Sequence, residues 1–167
     1  MPAFHVAQVN IGRIVGPIDS PVMAEFVARL DEINALAERS PGFVWRLKTE
    51  DGDATAIRPY DDDMIIVNMS VWESAAALHD YVYRSEHVEV MRRRREWFSR
   101  MTDAFMALWW VPAGHLPTVA EAVARLERLR TDGPTPHAFT FRQQFPPPEA
   151  DGARFEPVDL PGECPAL

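Results

Sequence analysis

Alternation of apolar and polar side chains predicts a strand over residues 64–72, followed by a helix that starts at Glu73-Ser74. Successive side chains of a strand point to opposite faces of the sheet, so this segment divides into two sets. One face carries Val67, Met69 and Val71, and the other carries Asn68, Ser70 and Trp72. Buried polar side chains need hydrogen-bond partners. We therefore expect the polar face to line a pocket.

The first half of the chain has the patterns of two more strands and one helix. Residues 5–14 alternate as a strand. Ser20-Pro21 predicts a helix start, because Ser is a frequent N-cap and Pro fits the first turn. Ser40-Pro41-Gly42 ends that helix. A second strand follows at residues 43–48, and residues 50–63 predict a loop.

The second half completes a recognisable order of elements. Helical sequence runs over residues 74–101, with a break near Ser85, and residues 105–111 form a strand closed by Pro112. The resulting order β-α-β-β-α-β predicts an α+β, ferredoxin-like domain with one antiparallel sheet and both helices on one face.

The other face of that sheet is apolar and has neither of these two helices on it. It carries alternate residues of the first and third strands: Ala7, Val9, Ile11, Ile65, Val67, Met69 and Val71. An exposed apolar face of this size needs a cover. A second copy packed sheet against sheet supplies one, which predicts a homodimeric α/β barrel. The exception is a third helix, over residues 118–130, whose apolar stripe we judge too narrow to cover four strands.

The C-terminal part adds smaller elements. Thr118 and Glu121 form a capping-box pattern that opens the added helix, and residues 139–142 predict a short fifth strand. Proline is frequent after Phe145, which predicts an extended or disordered tail. We therefore divide the chain into a domain over residues 1–145 and a tail over 146–167.

Composition narrows the function classes. The chain has 167 residues, 47% hydrophobic and 25% charged, as in one globular domain. Its net charge of −8 argues against partners such as nucleic acid or an anionic membrane. A single cysteine, Cys164, excludes an internal disulfide and a cysteine metal site. The sequence shows no charged leader and no apolar signal core, so we expect a cytoplasmic location.

The first candidate site is the polar face shared by the first and third strands. Those strands are adjacent in a ferredoxin-like sheet, so their polar residues converge: Gln8, Asn10, Asn68, Ser70 and Trp72. One interpretation is a wall that contacts a ligand. The alternative is a self-satisfied polar network that fixes strand register.

The second candidate site is a helical stripe over residues 86–101. At helical spacing Trp97 and Phe98 share a face with His87 and Arg94. A guanidinium on a buried face needs a partner, so Arg94 binds either a ligand or a structural carboxylate. His87 either takes part in proton transfer or caps a helix. Histidine spacing predicts no metal site, and no phosphate-loop, dinucleotide or esterase motif occurs.

Several segments resemble one bacterial family of unknown function, domain-of-unknown-function family 3291. They are Ala7-Gln8-Val9-Asn10, Pro41-Gly42-Phe43-Val44-Trp45-Arg46-Leu47, Val71-Trp72-Glu73-Ser74 and Arg92-Arg93-Arg94-Arg95-Glu96-Trp97-Phe98. The resemblance places the chain in the dimeric α/β-barrel superfamily typified by antibiotic-biosynthesis monooxygenases. It covers about residues 4 to 145.

The wider superfamily implies roles for some of these residues. Its cofactor-free monooxygenases oxidise anthrone-like aromatic polyketides held between sheet and helices, and Asn68 and Trp72 match their Asn-x-x-x-Trp spacing. Leu78 occupies the position of their tyrosine, so Tyr81 on the next turn is the candidate for proton transfer. A haem-degrading branch implies Asn10, Trp72 and His87 instead.

The resemblance thus implies a homodimer that binds a planar organic molecule and oxidises it with O₂ without a cofactor. In that interpretation Asn68 and Trp72 fix the substrate, Arg94 stabilises a developing oxyanion, and His87 or Tyr81 moves the proton. Two alternatives stay open. One is a non-catalytic dimeric ligand-binding or accessory protein, and the other is a haem-binding or haem-degrading protein.

Overall fold

The computed structural model describes residues 3–50, 52–85, 87–148 and 158–159. The main strands are β1 (Phe4–Ile14), β2 (Phe43–Arg46), β3 (Ile65–Trp72), β4 (Phe98–Ser99) and β5 (Met106–Pro112). The helices are α1 (Ala24–Arg39), α2 (Ala75–Arg84), α3 (His87–Arg92) and α4 (Val119–Asp132). No helix within these ranges is long and apolar enough to cross a bilayer.

One antiparallel sheet is the centre of the fold. β1 pairs with β3 on one side, and on the other side with β5 and, near its end, with β4. β2 lies outside β3, so the main order is β2-β3-β1-β5. The α+β class predicted from the sequence is confirmed. The loop between β2 and β3 also lies where it was predicted.

The start of the first helix differs from its prediction in detail. Residues Pro21–Met23 form one 3₁₀ turn, and α1 begins at Ala24. Ser20 does not cap the turn through its side chain; its hydroxyl donates to the carbonyl of Pro17 at 2.5 Å. The helix ends at Arg39, directly before the predicted stop.

The predicted helix over residues 86–101 is wrong beyond Arg92. A 3₁₀ turn occupies Arg94–Glu96, and β4 then pairs with Arg13 and Ile14 of β1. The side-chain spacing of residues 93–99 favours a helix, but backbone pairing with β1 holds part of this segment as a strand. Trp97 is buried between these two elements, with 2% of its surface exposed.

Helix α4 and the loop after β2 together cover the apolar face of the sheet within the same chain. Its residues Ala122, Leu126 and Leu129 are buried there. The face consists of Ala7, Val9, Ile11, Ile65, Val67, Met69, Val71, Ala107, Trp109 and Val111. The helix alone does not span all four strands, as its narrow stripe predicted, but the face is nevertheless covered within one chain. The chain reaches this cover with help from the loop after β2, which adds Leu47, Ile57 and Tyr60 around the edge.

The structure removes the reason for which the sequence analysis predicted a homodimer. That argument required an uncovered apolar face, yet Val67 is only 5% exposed and Met69 only 1% exposed in a single chain. A dimer would have to use another surface. The homodimer therefore stays a prediction, to be tested by sedimentation velocity of the wild type.

The segment after α4 returns to the helix side of the sheet. Phe139 and Leu108 exchange backbone hydrogen bonds of 2.8 Å, so the predicted fifth strand is reduced to one bridge at this point. A short strand, Gln143–Gln144 (β6), pairs with Val158–Asp159 (β7). Residues 149–157 and 160–167 of the predicted tail lie outside the described residues, and the division at residue 145 stays a prediction.

Candidate functional site

Gln8 is the centre of a polar network on the helix side of the sheet. Its Nε2 donates to Oδ1 of Asn68 at 2.7 Å and to Oγ of Ser70 at 2.9 Å. The same Ser70 oxygen accepts the indole N–H of Trp72 at 2.8 Å. The register places Gln8 opposite Ser70, since β1 and β3 are neighbours. The sequence-predicted polar face thus converges as expected.

Asn10 lies beside this network with an unsatisfied acceptor. It stands opposite Asn68 in the register and is 4% exposed. Its Oδ1 is buried and accepts no hydrogen bond from any described residue. Leaving a buried acceptor unpaired costs about 1–3 kcal/mol. A donor group on a bound molecule would recover that cost.

A pocket opens above the polar network, between the sheet and α1, α2 and α3. The pocket has an empty volume of about 1150 Å³, part of which is open to solvent. Counted by the positions available to the centre of a water molecule, its volume is about 100 Å³. A single water molecule needs only about 10–15 Å³ when volume is counted in this second way, so the pocket has room for several water molecules. The apolar lining residues are Phe26, Leu30, Ile33, Ala37, Leu47, Ala54, Ile66, Val67, Leu78, Val82, Val90, Met91, Phe98, Met106 and Phe141.

The polar floor and these apolar walls belong to one site. Gln8, Asn10, Asn68 and Ser70 all line the pocket. Mostly apolar walls with a few converging polar groups are typical of small-molecule sites. The site therefore suits a largely apolar molecule that carries hydrogen-bonding groups at one side.

Trp72 supports the pocket from behind rather than lining it. Its side chain is fully buried, and its ring stacks on Tyr81 with centroids 5.1 Å apart. Tyr81 does line the pocket, and its hydroxyl donates to the carbonyl of Ile33 at 3.3 Å. Burial raises the pKa of Tyr81 well above its usual value of 10, against an opposing effect from the charge of Arg46. Tyr81 is therefore a neutral proton donor at physiological pH.

Arg46 is a lining residue that the sequence analysis did not select. It lies on the same face of the sheet as Ser70, its register partner on β3. Its side chain is 12% exposed, and its Nε donates to Oε1 of Glu38 at 2.9 Å. The one sign of this position in the sequence was a charged residue inside a short predicted strand, directly after Trp45. A register irregularity between Phe43 and Trp45 makes simple alternation unreliable there.

The structure separates the residues of the second candidate site. Phe98 lines the pocket, but Trp97 packs against Phe26 with ring centroids 5.6 Å apart. Arg94 lies in the 3₁₀ turn and is not among the described residues that line the pocket. The side chain of His87 lies outside the described residues. No helix unites these four positions, because the helix ends at Arg92.

The haem alternative finds no support in the structure. Among the described residues no group of three or more His, Cys, Asp or Glu side chains is placed to hold a metal ion. Trp72, one of the three residues implied for haem, is enclosed by the core instead of facing the pocket.

Comparison of the sequence with family models gives one match. The model described as "Domain of unknown function (DUF3291)" matches residues 5–155. The chain belongs to this family. This membership agrees with the resemblance seen in the sequence, but it does not assign a reaction to the chain. No curated protein matches the chain.

Solved structures with a similar arrangement are distant. SnoaB, a cofactor-independent oxygenase from Streptomyces nogalater, is 22% identical over 70% of this chain and 100% of its own, with a TM-score of 0.45. A conserved protein from Methanosarcina mazei Go1 is 12% identical over 66% of this chain and 93% of its own, with a TM-score of 0.44. A protein of unknown function from Nitrosomonas europaea is 14% identical over 70% and 97%, with a TM-score of 0.43.

Proposed function

We propose that this protein binds a planar, largely apolar organic molecule in the pocket between the sheet and helices α1 to α3. The observation that carries the proposal is the buried Oδ1 of Asn10, an acceptor without a partner among the described residues, at the floor of an apolar pocket. A purely structural polar network would satisfy its own members. An acceptor left over at a pocket indicates a site built for a donor that comes from outside.

The test is saturable binding of 2-naphthol, a flat aromatic probe with one hydroxyl donor, followed by fluorescence. Ile33→Trp on α1 fills the pocket and should abolish binding while the far-UV circular dichroism stays unchanged. Val27→Trp is the matched control, because Val27 is on the same helix, is 39% exposed and does not line the pocket. Absence of saturable binding, or equal binding by Ile33→Trp and wild type, contradicts the proposal.

A second candidate function is oxidation of the bound molecule by O₂ without a cofactor. The position of Tyr81 favours it, since burial keeps this phenol protonated beside the bound molecule. In such a reaction an activated, acidic C–H group loses a proton to water, and the resulting carbanion adds O₂ to form a peroxide anion. A proton donor protonates this peroxide, which then collapses to a carbonyl group and water. Tyr81 would supply that proton.

Anthrone is the appropriate probe for this reaction, since it takes up one O₂ and yields anthraquinone and one water. We expect the wild type to exceed the uncatalysed rate and Tyr81→Phe to lose most of the excess while retaining 2-naphthol binding. A wild-type rate equal to that of buffer leaves the protein as a non-catalytic binding module, the alternative function. In that case the oxidation proposal is wrong and the binding proposal is unaffected.

A further inference from the structure

Arg46 lies at one end of a polar row that crosses three neighbouring strands. The register pairs Arg46 of β2 with Ser70 of β3, and Ser70 with Gln8 of β1. All three side chains line the pocket. The guanidinium group therefore belongs to the same wall as the polar network. The pocket accordingly has a cationic side in addition to its neutral hydrogen-bonding floor.

The charge of Arg46 is only partly compensated. Glu38 Oε1 accepts from Arg46 Nε at 2.9 Å, and the same oxygen lies 3.7 Å from Nζ of Lys48. Two cations thus share one carboxylate. The terminal nitrogens of Arg46 donate to no acceptor among the described residues. These donors are not buried atoms and reach solvent at the pocket, so an anionic group of a bound molecule can replace water as their acceptor.

The other charged residues of the pocket do not neutralise Arg46. Arg29, also in the lining, pairs at 3.5 Å with Glu25, a carboxylate that it shares with Arg93. Asp53 is the lining carboxylate, and its Oδ1 accepts from the backbone N–H and the hydroxyl of Thr55 at 2.9 and 2.7 Å. The carboxylate is thus engaged within its own turn. Among the charged residues that line the pocket, two arginines thus stand against one carboxylate, in a chain whose net charge is −8.

A second anchor lies diagonally across the floor. Arg46 on β2 is aligned with Gln8 on β1, with β3 between them, and Asn10 is the next residue on the same face of β1. With standard strand spacing and rise, the Cα positions of Arg46 and Asn10 are roughly 12 Å apart. The arginine and asparagine side chains span part of this separation, so a molecule of two or three fused rings can reach both groups.

We propose that the pocket selects an organic anion: a flat apolar body with a carboxylate at Arg46 and a hydroxyl or N–H donor at Asn10. This inference rests on the proposed binding function and names its ligand class. A planar carboxylate accepts two parallel hydrogen bonds from a guanidinium, which a neutral ester or ether cannot reproduce.

The experiment compares two probes that differ in charge and by one methyl group. 6-Hydroxy-2-naphthoate carries the carboxylate and the hydroxyl at opposite ends of two fused rings, and its methyl ester is the neutral counterpart. Wild type should bind the carboxylate at least about tenfold more tightly than the ester, measured by calorimetry. Arg46→Gln should reduce the affinity for the carboxylate to that for the ester and leave the ester affinity unchanged.

Two further variants separate specific pairing from general effects. Arg46→Lys retains the charge but lacks the planar fork, so it should recover only part of the preference. Arg128→Gln removes one exposed positive charge from α4, on the other side of the sheet, and should behave as wild type. Thermal unfolding midpoints of all variants establish that each is folded at the temperature of the titration.

The possible outcomes distinguish this inference from the function on which it rests. Equal affinities of wild type for carboxylate and ester, or an equal loss of both in Arg46→Gln, overturn the anion site and leave the binding pocket intact. Failure of wild type to bind either probe contradicts the binding function and, with it, the anion site. A preference for the carboxylate that survives in Arg46→Gln assigns the charge recognition to another residue and overturns the role of Arg46.

Discussion

Gln8 and Ser70 face each other across β1 and β3, and the side-chain amide of Gln8 donates to the Ser70 hydroxyl at 2.9 Å. This hydroxyl also accepts the indole N–H of Trp72, so both of its lone pairs are used. Within the described residues it donates to no acceptor. Together with the acceptor of Asn10, at least one donor and one acceptor of the pocket floor have no partner among the described residues. The network is therefore not self-contained, which favours a wall that contacts a ligand over a purely structural network.

We expect Gln8→Ala to be clearly destabilising. The substitution removes the donor that serves both Asn68 and Ser70, and it should lower the free energy of unfolding by about 1–3 kcal/mol. Urea denaturation measures the difference. Gln143→Ala is the control, because the side chain of Gln143 makes no hydrogen bond within the described part of the chain. Equal effects of the two substitutions would contradict the structural role of the network.

Asn10→Leu should separate stability from binding. Leucine has the same number of side-chain heavy atoms and removes a buried acceptor that has no partner among the described residues. The free energy of unfolding should therefore be retained or increase by about 1 kcal/mol. Affinity for 2-naphthol should fall about tenfold, since its hydroxyl loses an acceptor. A loss of stability as large as that of Gln8→Ala would mean that Asn10 is satisfied within the protein.

The sheet could be predicted from the sequence because each strand carries its own signal. Alternation over residues 64–72 fixes which side chains of β3 face the helices, and Gln8 and Asn10 follow by the same rule on β1. Adjacency of these two strands then brings the polar residues together. The structure has this arrangement with the predicted parity.

The features of the structure that could not be predicted from the sequence depend on contacts between residues far apart in the chain. Residues 93–99 have helical spacing, but pairing of Phe98 with Ile14 decides their conformation. The cover of the sheet combines α4 with Leu47, Ile57 and Tyr60 of the loop after β2, so the width of the helical stripe alone does not decide it. Arg46 was missed because its contribution comes from the register of β2, which contains an irregularity.

Helix α4 should be essential for stability as the intramolecular cover of the sheet. Leu126 is 0% exposed against that face, so Leu126→Ala should lower the free energy of unfolding by about 2–5 kcal/mol. Leu116→Ala, at a residue 49% exposed, should change it by less than about 0.5 kcal/mol. Chemical denaturation of the two variants checks this. A small effect of Leu126→Ala would show that the packing of α4 contributes little in solution.

The last prediction concerns Glu121, which joins α4 to the sheet. Its carboxylate accepts from Trp109 Nε1 at 3.1 Å and pairs with His115 Nε2 at 2.8 Å. Burial opposes its ionisation, but these hydrogen bonds and the charges of His115 and Arg125 outweigh burial and lower the pKa of Glu121 below its usual 4.5.

Because the pKa is lower in the folded state, ionised Glu121 stabilises the fold above pH 4.5, and this contribution is lost as pH falls through the folded pKa. The wild type should therefore be more stable than Glu121→Gln at about pH 6, and the difference should shrink toward about pH 3. Urea unfolding at the two pH values measures it. Glu73→Gln, at an exposed residue without an ion pair among the described residues, should show a much smaller change with pH. A difference between wild type and Glu121→Gln that is constant with pH would mean that Glu121 contributes through packing and not through its charge.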